Sequence, residues 1–195
     1  MAGMKLNAGQ LRAGSAKCKV QPFGFAQGES AKSNKNEIYI ILDNVLDTYN
    51  VGSIFRLADA VGAKKVYLCG GTETPPNPRI KKASINTTEW VEWEYAPAIG
   101  GVIKNLKLKI KNLQTVAVEQ SATAAQYDKF EYKMPICLIV GNETYGVSKE
   151  VLEEVDGIVE LPMFGVNISL NVMVSLGIVL YKVVGEAYCC QKAKQ

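Results

Sequence analysis

The chain has 195 residues, of which 48% are hydrophobic and 21% charged, the composition of one soluble globular domain with a sizeable core. It contains no histidine, which excludes Ser-His-Asp and Cys-His nucleophilic centres, histidine-ligated metals and imidazole bases. The formal net charge is +3, but residues 1–36 carry +5 and the remainder carries −2.

The first 36 residues are rich in glycine, serine and glutamine and hold six basic residues against one acid. This composition predicts a basic, flexible arm, which is either a nucleic-acid-binding tail or a solvated disordered terminus. No apolar segment of the signal-peptide type is visible. The five cysteines lack C-x-x-C spacing. We therefore expect a cytoplasmic protein with reduced thiols and no metal site.

Apolar runs and turn residues predict alternating strands and helices from residue 37 onward. The predicted strands span residues 38–42, 65–69, 90–95, 114–118, 136–140 and 157–161. The predicted helices span 51–61, capped by Asn50, then 96–106, then 148–155, capped by Ser148, and finally 170–190. Residues 70–78 hold two glycines and three prolines and are predicted as a loop.

Strands that alternate with helices and consist of continuous apolar runs are typical of a parallel sheet covered on both faces. The predicted fold class is therefore α/β, with a mainly parallel sheet and helices on both faces. Residues 37–190 form one predicted domain, and residues 191–195 form a short tail. No internal repeat or second core is visible.

Residues 161–181 carry no charged side chain. The length suits a membrane span, but a proline, a glycine and three polar residues, Asn167, Ser169 and Asn171, argue against one. We expect a strand end, a tight loop and then a helix buried on all sides. The helix is apolar nearly all round, and the sheet covers only one face, so a subunit interface in a homodimer is predicted.

Three polar clusters follow predicted strands, where open α/β folds place their ligands. The first runs from Asn50 to Arg56, the second contains Glu143 between two glycines, and the third contains Ser169 and Asn171. Each has an ordinary structural alternative. Asn50 is then a helix cap and Arg56 a solvated helix residue, Glu143 belongs to a turn, and Ser169 caps the last helix with Asn171 satisfied locally.

The three clusters together resemble the ordered motifs of the SpoU family. The matching patterns are Asn-x-Gly-x-x-x-Arg, then Gly-Asn-Glu, then Leu-Pro-Met-x-Gly-x-x-x-Ser-Leu-Asn-Val, within residues 38–181. Members of that family are S-adenosylmethionine-dependent RNA ribose 2′-O-methyltransferases of the SPOUT superfamily. The resemblance implies a deep trefoil knot in the C-terminal part, S-adenosylmethionine as cofactor, tRNA or rRNA as partner, and a homodimer.

The resemblance also implies residue roles. Arg56 is expected to engage the target ribose and help activate its 2′-hydroxyl, together with four further site residues, Asn50, Glu143, Ser169 and Asn171. Backbone near Val118, Gly141, Leu161 and Leu170 is expected to hold the cofactor. Two alternatives stay open: a non-catalytic RNA-binding or assembly factor on a SPOUT scaffold, and methylation of a base. The large terminal extensions with which some members grip tRNA are missing here, so the substrate RNA stays open as well.

Overall fold

The computed structural model describes the backbone of residues 35–192 and the side chains of residues 35–188. Within that range, seven strands form one sheet in the order β3-β2-β1-β6-β4-β7-β5, and each neighbouring pair is parallel. The strands are β1 (Asn36–Asp43), β2 (Ala63–Cys69), β3 (Trp93–Ala96), β4 (Gln114–Val118), β5 (Ala125–Gln126), β6 (Ile136–Val140) and β7 (Gly157–Glu160).

Five α-helices and one 3₁₀ turn, Thr87–Glu89, connect the strands in this part of the chain. The helices are α1 (Thr48–Ala60), α2 (Pro78–Ser84), α3 (Ile99–Lys109), α4 (Lys149–Glu154) and α5 (Val172–Lys192). Successive residues of β1 point to opposite faces: Ile40 packs with α1 and α5, and Ile41 packs with α3 and α4. The predicted α/β class, with helices on both faces of a parallel sheet, is confirmed.

The buried strands follow the prediction closely. The predicted bounds of β4 and β6 agree with the structure, and β1 and β2 extend one or two residues beyond the predicted runs. The weakest agreement is at β3, which begins at Trp93 and not at residue 90, because the N–H groups of Trp90 and Val91 donate to the Thr87 carbonyl and close the 3₁₀ turn.

The beginnings of α1 and α4 differ from the predicted caps. Asp47 caps α1, since its carboxylate accepts a hydrogen bond of 2.8 Å from the Tyr49 backbone N–H. Asn50, the predicted cap, lies inside the first turn and is 6% exposed. Ser148 does hold the N-cap position of α4, but its hydroxyl donates to the Asp43 carboxylate at 2.7 Å and does not bond to the helix.

Helix α2 was not predicted, because it lies at the end of the proline-rich segment. The Asn77 side chain caps it by accepting hydrogen bonds from the N–H groups of Arg79 and Ile80, and a proline holds its first position. The helix lies directly against α1 at Gly52. A Cβ atom at that glycine would lie 2.6 Å from the Ala83 Cβ and 2.7 Å from the Ile80 carbonyl oxygen.

The last helix, α5, begins at Val172, two residues later than predicted, and its cap is Asn171. The asparagine Oδ1 accepts from the Met173 N–H at 2.9 Å, so the alternative in which Ser169 caps this helix is wrong. The prediction of burial on all sides is also wrong for the single chain. One face packs on the sheet, and the other exposes four large apolar side chains, Val174, Ile178, Tyr181 and Tyr188. None of the described helices has the length and hydropathy needed to cross a bilayer.

Candidate active site

A cleft of about 410 Å³ lies beyond the carboxyl ends of β4, β6 and β7. These three strands are adjacent in a parallel sheet, so the loops that follow them meet at one edge. Most of the predicted site residues contribute to its wall, namely Val118, Gly141, Glu143, Leu161, Ser169, Leu170 and Asn171. The two exceptions are the residues of α1, Asn50 and Arg56.

The loop after β6 folds back on itself at the floor of the cleft. The Asn142 N–H donates to the Gly146 carbonyl at 3.0 Å, and the Gly146 N–H donates to the Asn142 carbonyl at 2.9 Å. A Cβ atom at Gly141 would overlap the backbone of Gly146 and Val147. Glycine at position 141 is therefore required by the close approach of two backbone segments.

Glu143 joins this loop to the beginning of α1. Its carboxylate accepts hydrogen bonds from the Leu46 N–H at 3.1 Å, the Asp47 N–H at 3.1 Å and the Asn50 side-chain amide at 2.9 Å. The carboxylate therefore holds together two loops that are more than 90 residues apart in sequence.

Asn50 extends the same network to the third loop. Its Oδ1 atom accepts a hydrogen bond of 2.9 Å from the Asn171 side-chain amide. Asn171 in turn caps α5. The structure thus brings Asn50, Glu143 and Asn171, one from each of the three predicted clusters, into one continuous chain of hydrogen bonds.

The pKa of Glu143 is lowered from its ordinary value. Partial burial raises this pKa, but the hydrogen bonds donated by Asn50 and by the backbone of Leu46 and Asp47 outweigh it, because they stabilise the ionised form. A carboxylate with a lowered pKa and several occupied lone pairs is a weak proton acceptor. This environment favours a positioning role for Glu143.

Within the described residues, the charged side chains that line the cleft are all acidic: Glu119, Glu143 and Glu160. Apolar side chains supply much of the remaining wall, among them Val118, Val140, Leu161 and Leu170. A cleft of this kind suits a ligand with a flat apolar part and a net positive charge.

Arg56 lies apart from this cleft, on the exposed surface of α1. Among the residues that the structure describes, its guanidinium has no hydrogen-bond or ion-pair partner. The neighbouring Leu57 faces α5, since a Cβ at Gly177 would lie 3.4 Å from a Leu57 methyl carbon. Arg56 precedes Leu57 in the chain and is exposed to solvent. Ser169 lines the cleft and is exposed.

Three polar residues that support the site were assigned no role from the sequence. Asp43, at the end of β1, accepts hydrogen bonds from the Ser148 N–H at 3.0 Å and its hydroxyl at 2.7 Å. The Asn142 amide donates to the Asn44 carbonyl at 2.8 Å. Glu119 follows β4 and lines the cleft. Each polar group directly follows a buried strand or a strand-end glycine, and this position is the signal that would have identified it.

In the described part of the chain, no group of three or more His, Cys, Asp or Glu side chains is arranged to hold a metal ion.

Comparison with known proteins gives a consistent result. The model of the SpoU rRNA Methylase family matches residues 37–181. The tRNA (guanosine(18)-2′-O)-methyltransferase of Aquifex aeolicus is 32% identical over 158 residues, which are 79% of this chain and 72% of that protein. The enzyme of the same name from Escherichia coli K12 is 29% identical, and the match covers 75% of this chain and 62% of that protein.

Solved structures agree with the sequence comparison. The crystal structure of an AdoMet-bound rRNA methyltransferase from Sinorhizobium meliloti superimposes with a TM-score of 0.71 at 28% identity. The superposition covers 80% of this chain and 60% of that one. The chain is therefore shorter than these relatives, and what it shares with them is the domain that contains the cleft.

Proposed function

Because the chain belongs to the SpoU rRNA Methylase family, we propose that it transfers a methyl group from S-adenosylmethionine to a ribose 2′-hydroxyl in tRNA or rRNA. The single observation that carries this proposal is the hydrogen-bond chain Glu143–Asn50–Asn171, which joins the three motifs beside one cleft. The named relatives methylate a tRNA ribose, and the AdoMet-bound neighbour is an rRNA enzyme.

The cleft fits S-adenosylmethionine in size and charge. Its volume of about 410 Å³ is within the range of small-molecule sites. Val118, Leu161 and Leu170 offer an apolar wall for an adenine ring, and Gly141 lies in the wall beside them. The acidic lining matches a ligand with a sulfonium cation. These residues are the ones we assign to holding the cofactor.

The chemistry that the cofactor supplies is an electrophilic methyl group. The protein must orient a ribose hydroxyl in line with that group and stabilise the charge that develops on its oxygen. Glu143 and Asn50 fix the loops on either side of the reacting atoms, and Asn171 sets the start of α5. A guanidinium is suited to the developing charge, and we assign this role to Arg56.

Arginine stays protonated in proteins, so Arg56 is not the acceptor of the hydroxyl proton. The carboxylate of Glu143 is a poor proton acceptor, because the hydrogen bonds that it accepts stabilise its ionised form. A phosphate oxygen of the RNA is the acceptor we propose, held near the ribose by the same guanidinium.

A homodimer is part of the proposal, since Arg56 lies outside the cleft of its own chain. The chain also exposes large apolar side chains around the start of α1, in the loop before α5 and on α5: Leu46, Tyr49, Phe164, Val166, Ile168, Val174, Ile178 and Tyr181. A second copy packed against this surface would cover it and bring Arg56 to the partner's cleft. Ser169, exposed at the same edge, would then be positioned between the two subunits.

The knot implied by the family is also proposed here. The match of residues 37–181 to the family supports a threaded C-terminal part, and a crystal structure of this protein traced through residues 141–181 tests it. Of the six basic residues in the 1–36 arm, all but Lys35 lie outside the described residues. We propose that the arm binds RNA phosphates in the cytoplasm. Deleting residues 1–35 should weaken RNA binding and flatten its salt dependence.

The activity is tested with labelled S-adenosylmethionine and total RNA from cells that lack the gene, followed by digestion to nucleosides. We expect label in 2′-O-methylated nucleosides. Label confined to bases would identify a base methyltransferase. A protein that binds RNA and incorporates no label would be an RNA-binding or assembly factor.

The shared site is tested by mixing two inactive variants, Arg56→Ala with an intact cleft and Leu170→Lys with a blocked one. Random exchange places half of the molecules in mixed dimers, each with one complete site if Arg56 serves the partner. About a quarter of wild-type activity is then expected. No recovery would assign Arg56 to its own subunit, and a monomer by light scattering would refute the dimer.

A further inference from the structure

Glu119 lines the cleft and makes a specific set of contacts that the proposed reaction does not use. It follows β4, between the loops that continue from β6 and β7. Its backbone N–H donates to the Val159 carbonyl of β7 at 3.0 Å, which fixes the base of the side chain. The side chain is partly buried and extends toward the loop after β6.

The Glu119 carboxylate holds the far end of that loop. Its Oε2 atom accepts a hydrogen bond of 2.8 Å from the Val147 N–H, and its Oε1 atom accepts one of 2.9 Å from the Gln120 N–H. Val147 itself is 4% exposed. The contact therefore ties the buried end of the loop to the strand beside it.

Gly146 makes the contact possible. A Cβ atom there would overlap the Glu119 carboxylate, and the backbone has φ +70°, which L side chains rarely adopt. The carboxylate occupies the space that a side chain at position 146 would need. Glycine at 146 and glutamate at 119 are thus two parts of one arrangement.

We infer that Glu119 is a positioning residue for the cofactor, acting through the loop Gly141–Val147. This inference rests on the proposed function. Without the hydrogen bond to Val147, the loop keeps its internal Asn142–Gly146 pairing but loses its tether to β4. The floor of the cleft then no longer has one fixed distance from Val118 and Leu161. Cofactor affinity suffers, whereas the RNA side, formed by α1, does not.

Calorimetric titration with S-adenosylmethionine tests the inference on wild type, Glu119→Ala and Glu119→Gln. The alanine variant should bind about tenfold more weakly, the effect of losing one hydrogen bond to a charged group. The glutamine variant retains an oxygen that accepts from Val147 and should recover most of the affinity. Glu153→Ala, which removes an exposed carboxylate from α4, is the matched control and should bind as wild type does.

Kinetics and a second substitution separate positioning from general stabilisation. In Glu119→Ala, KM for S-adenosylmethionine should rise about tenfold, with kcat and KM for RNA within about twofold of wild type. Gly146→Ala displaces the same carboxylate, so its loss of affinity and that of Glu119→Ala should be far from additive in the double variant.

Equal affinities of wild type and Glu119→Ala would overturn the assignment, as would additive losses or a glutamine variant no better than alanine. A fall in melting temperature with KM unchanged would also overturn it. A wild-type protein that binds no S-adenosylmethionine would instead overturn the proposed function itself.

Discussion

Replacing Glu143 tests whether this carboxylate positions the site or takes part in the chemistry. The carboxylate accepts three hydrogen bonds, at 3.1, 3.1 and 2.9 Å, from Leu46, Asp47 and Asn50. Glu143→Ala removes the two oxygens that accept these three bonds. It also frees Asn50 from one of its two side-chain partners, so the connection to Asn171 loosens as well.

The expected loss of stability follows from those contacts. A hydrogen bond to a charged group contributes about 1.5–3 kcal/mol when it is shielded from water. The Glu143 side chain is exposed, and water replaces part of each bond, so the three together are expected to contribute about 1–2 kcal/mol. For a domain of this size, that loss lowers the melting temperature by roughly 2–8 °C.

The contribution of Glu143 should depend on pH in a defined direction. Its pKa in the folded protein is lowered, so the carboxylate binds fewer protons when folded than when unfolded. The stabilisation is fully present above the unfolded value of about 4.3 and is lost as the pH falls through the lowered folded value. The difference in melting temperature between wild type and Glu143→Ala should therefore shrink below about pH 4.

The comparison with Glu143→Gln decides between the two roles. Glutamine keeps one neutral acceptor, so a positioning role predicts intermediate melting temperature and intermediate activity. Scanning calorimetry and initial rates at saturating cofactor and RNA measure the two quantities. If the glutamine variant melts like wild type but is as inactive as the alanine variant, the charge itself takes part in the reaction and the positioning argument is refuted.

Three further outcomes are expected. Arg56→Ala should abolish turnover and leave S-adenosylmethionine affinity unchanged in calorimetry, because Arg56 lies outside the cleft; near-wild-type kcat would contradict its role. Gly52→Ala should lower the free energy of unfolding, measured in urea, by about 1–3 kcal/mol, since the new Cβ collides with α2. In the control Gly101→Ala, where the Cβ on α3 meets no other atom, the free energy of unfolding should rise by up to about 1 kcal/mol. Burial raises the pKa of Cys69 to about 12 and that of Cys137 well above its usual range. Iodoacetamide at pH 8 should therefore label neither thiol in the native protein. Rapid labelling of either one, mapped by mass spectrometry, would contradict their burial.

The sequence predicts the bounds of a strand well where the strand is buried on both faces. β4 and β6 lie in the middle of the sheet and are covered on both faces, so their apolar runs end where the strands end. The two-residue strand β5 lacks such a run, and it forms only because β7 lies beside it. Asn77 followed by proline is a recognisable helix start, yet helix α2 was not predicted. The prolines before Asn77 favoured a loop for the whole segment.

Asn50 shows why local rules fail inside a functional site. An asparagine near a helix start is a good cap, and the local pattern supports that interpretation. Its actual partners are Glu143 and Asn171, which lie 93 and 121 residues away. Asp47 takes the capping role. Partners at such distances are created by the strand order, which no local pattern contains.

The charge of the cleft explains why the one guanidinium assigned to the reaction belongs outside it. Glu119, Glu143 and Glu160 make the lining acidic, which suits a cationic cofactor and repels the phosphates of RNA. In the proposed reaction, the RNA backbone would therefore stay at the mouth, and only the ribose hydroxyl would need to approach the methyl group. A cation that binds the ribose and its phosphate must stand at that mouth. Had Arg56 been inside the cleft, it would have paired with a glutamate and weakened cofactor binding. In the proposed dimer, a position on the neighbouring subunit would keep the cation and the acidic cleft apart until the two subunits associate.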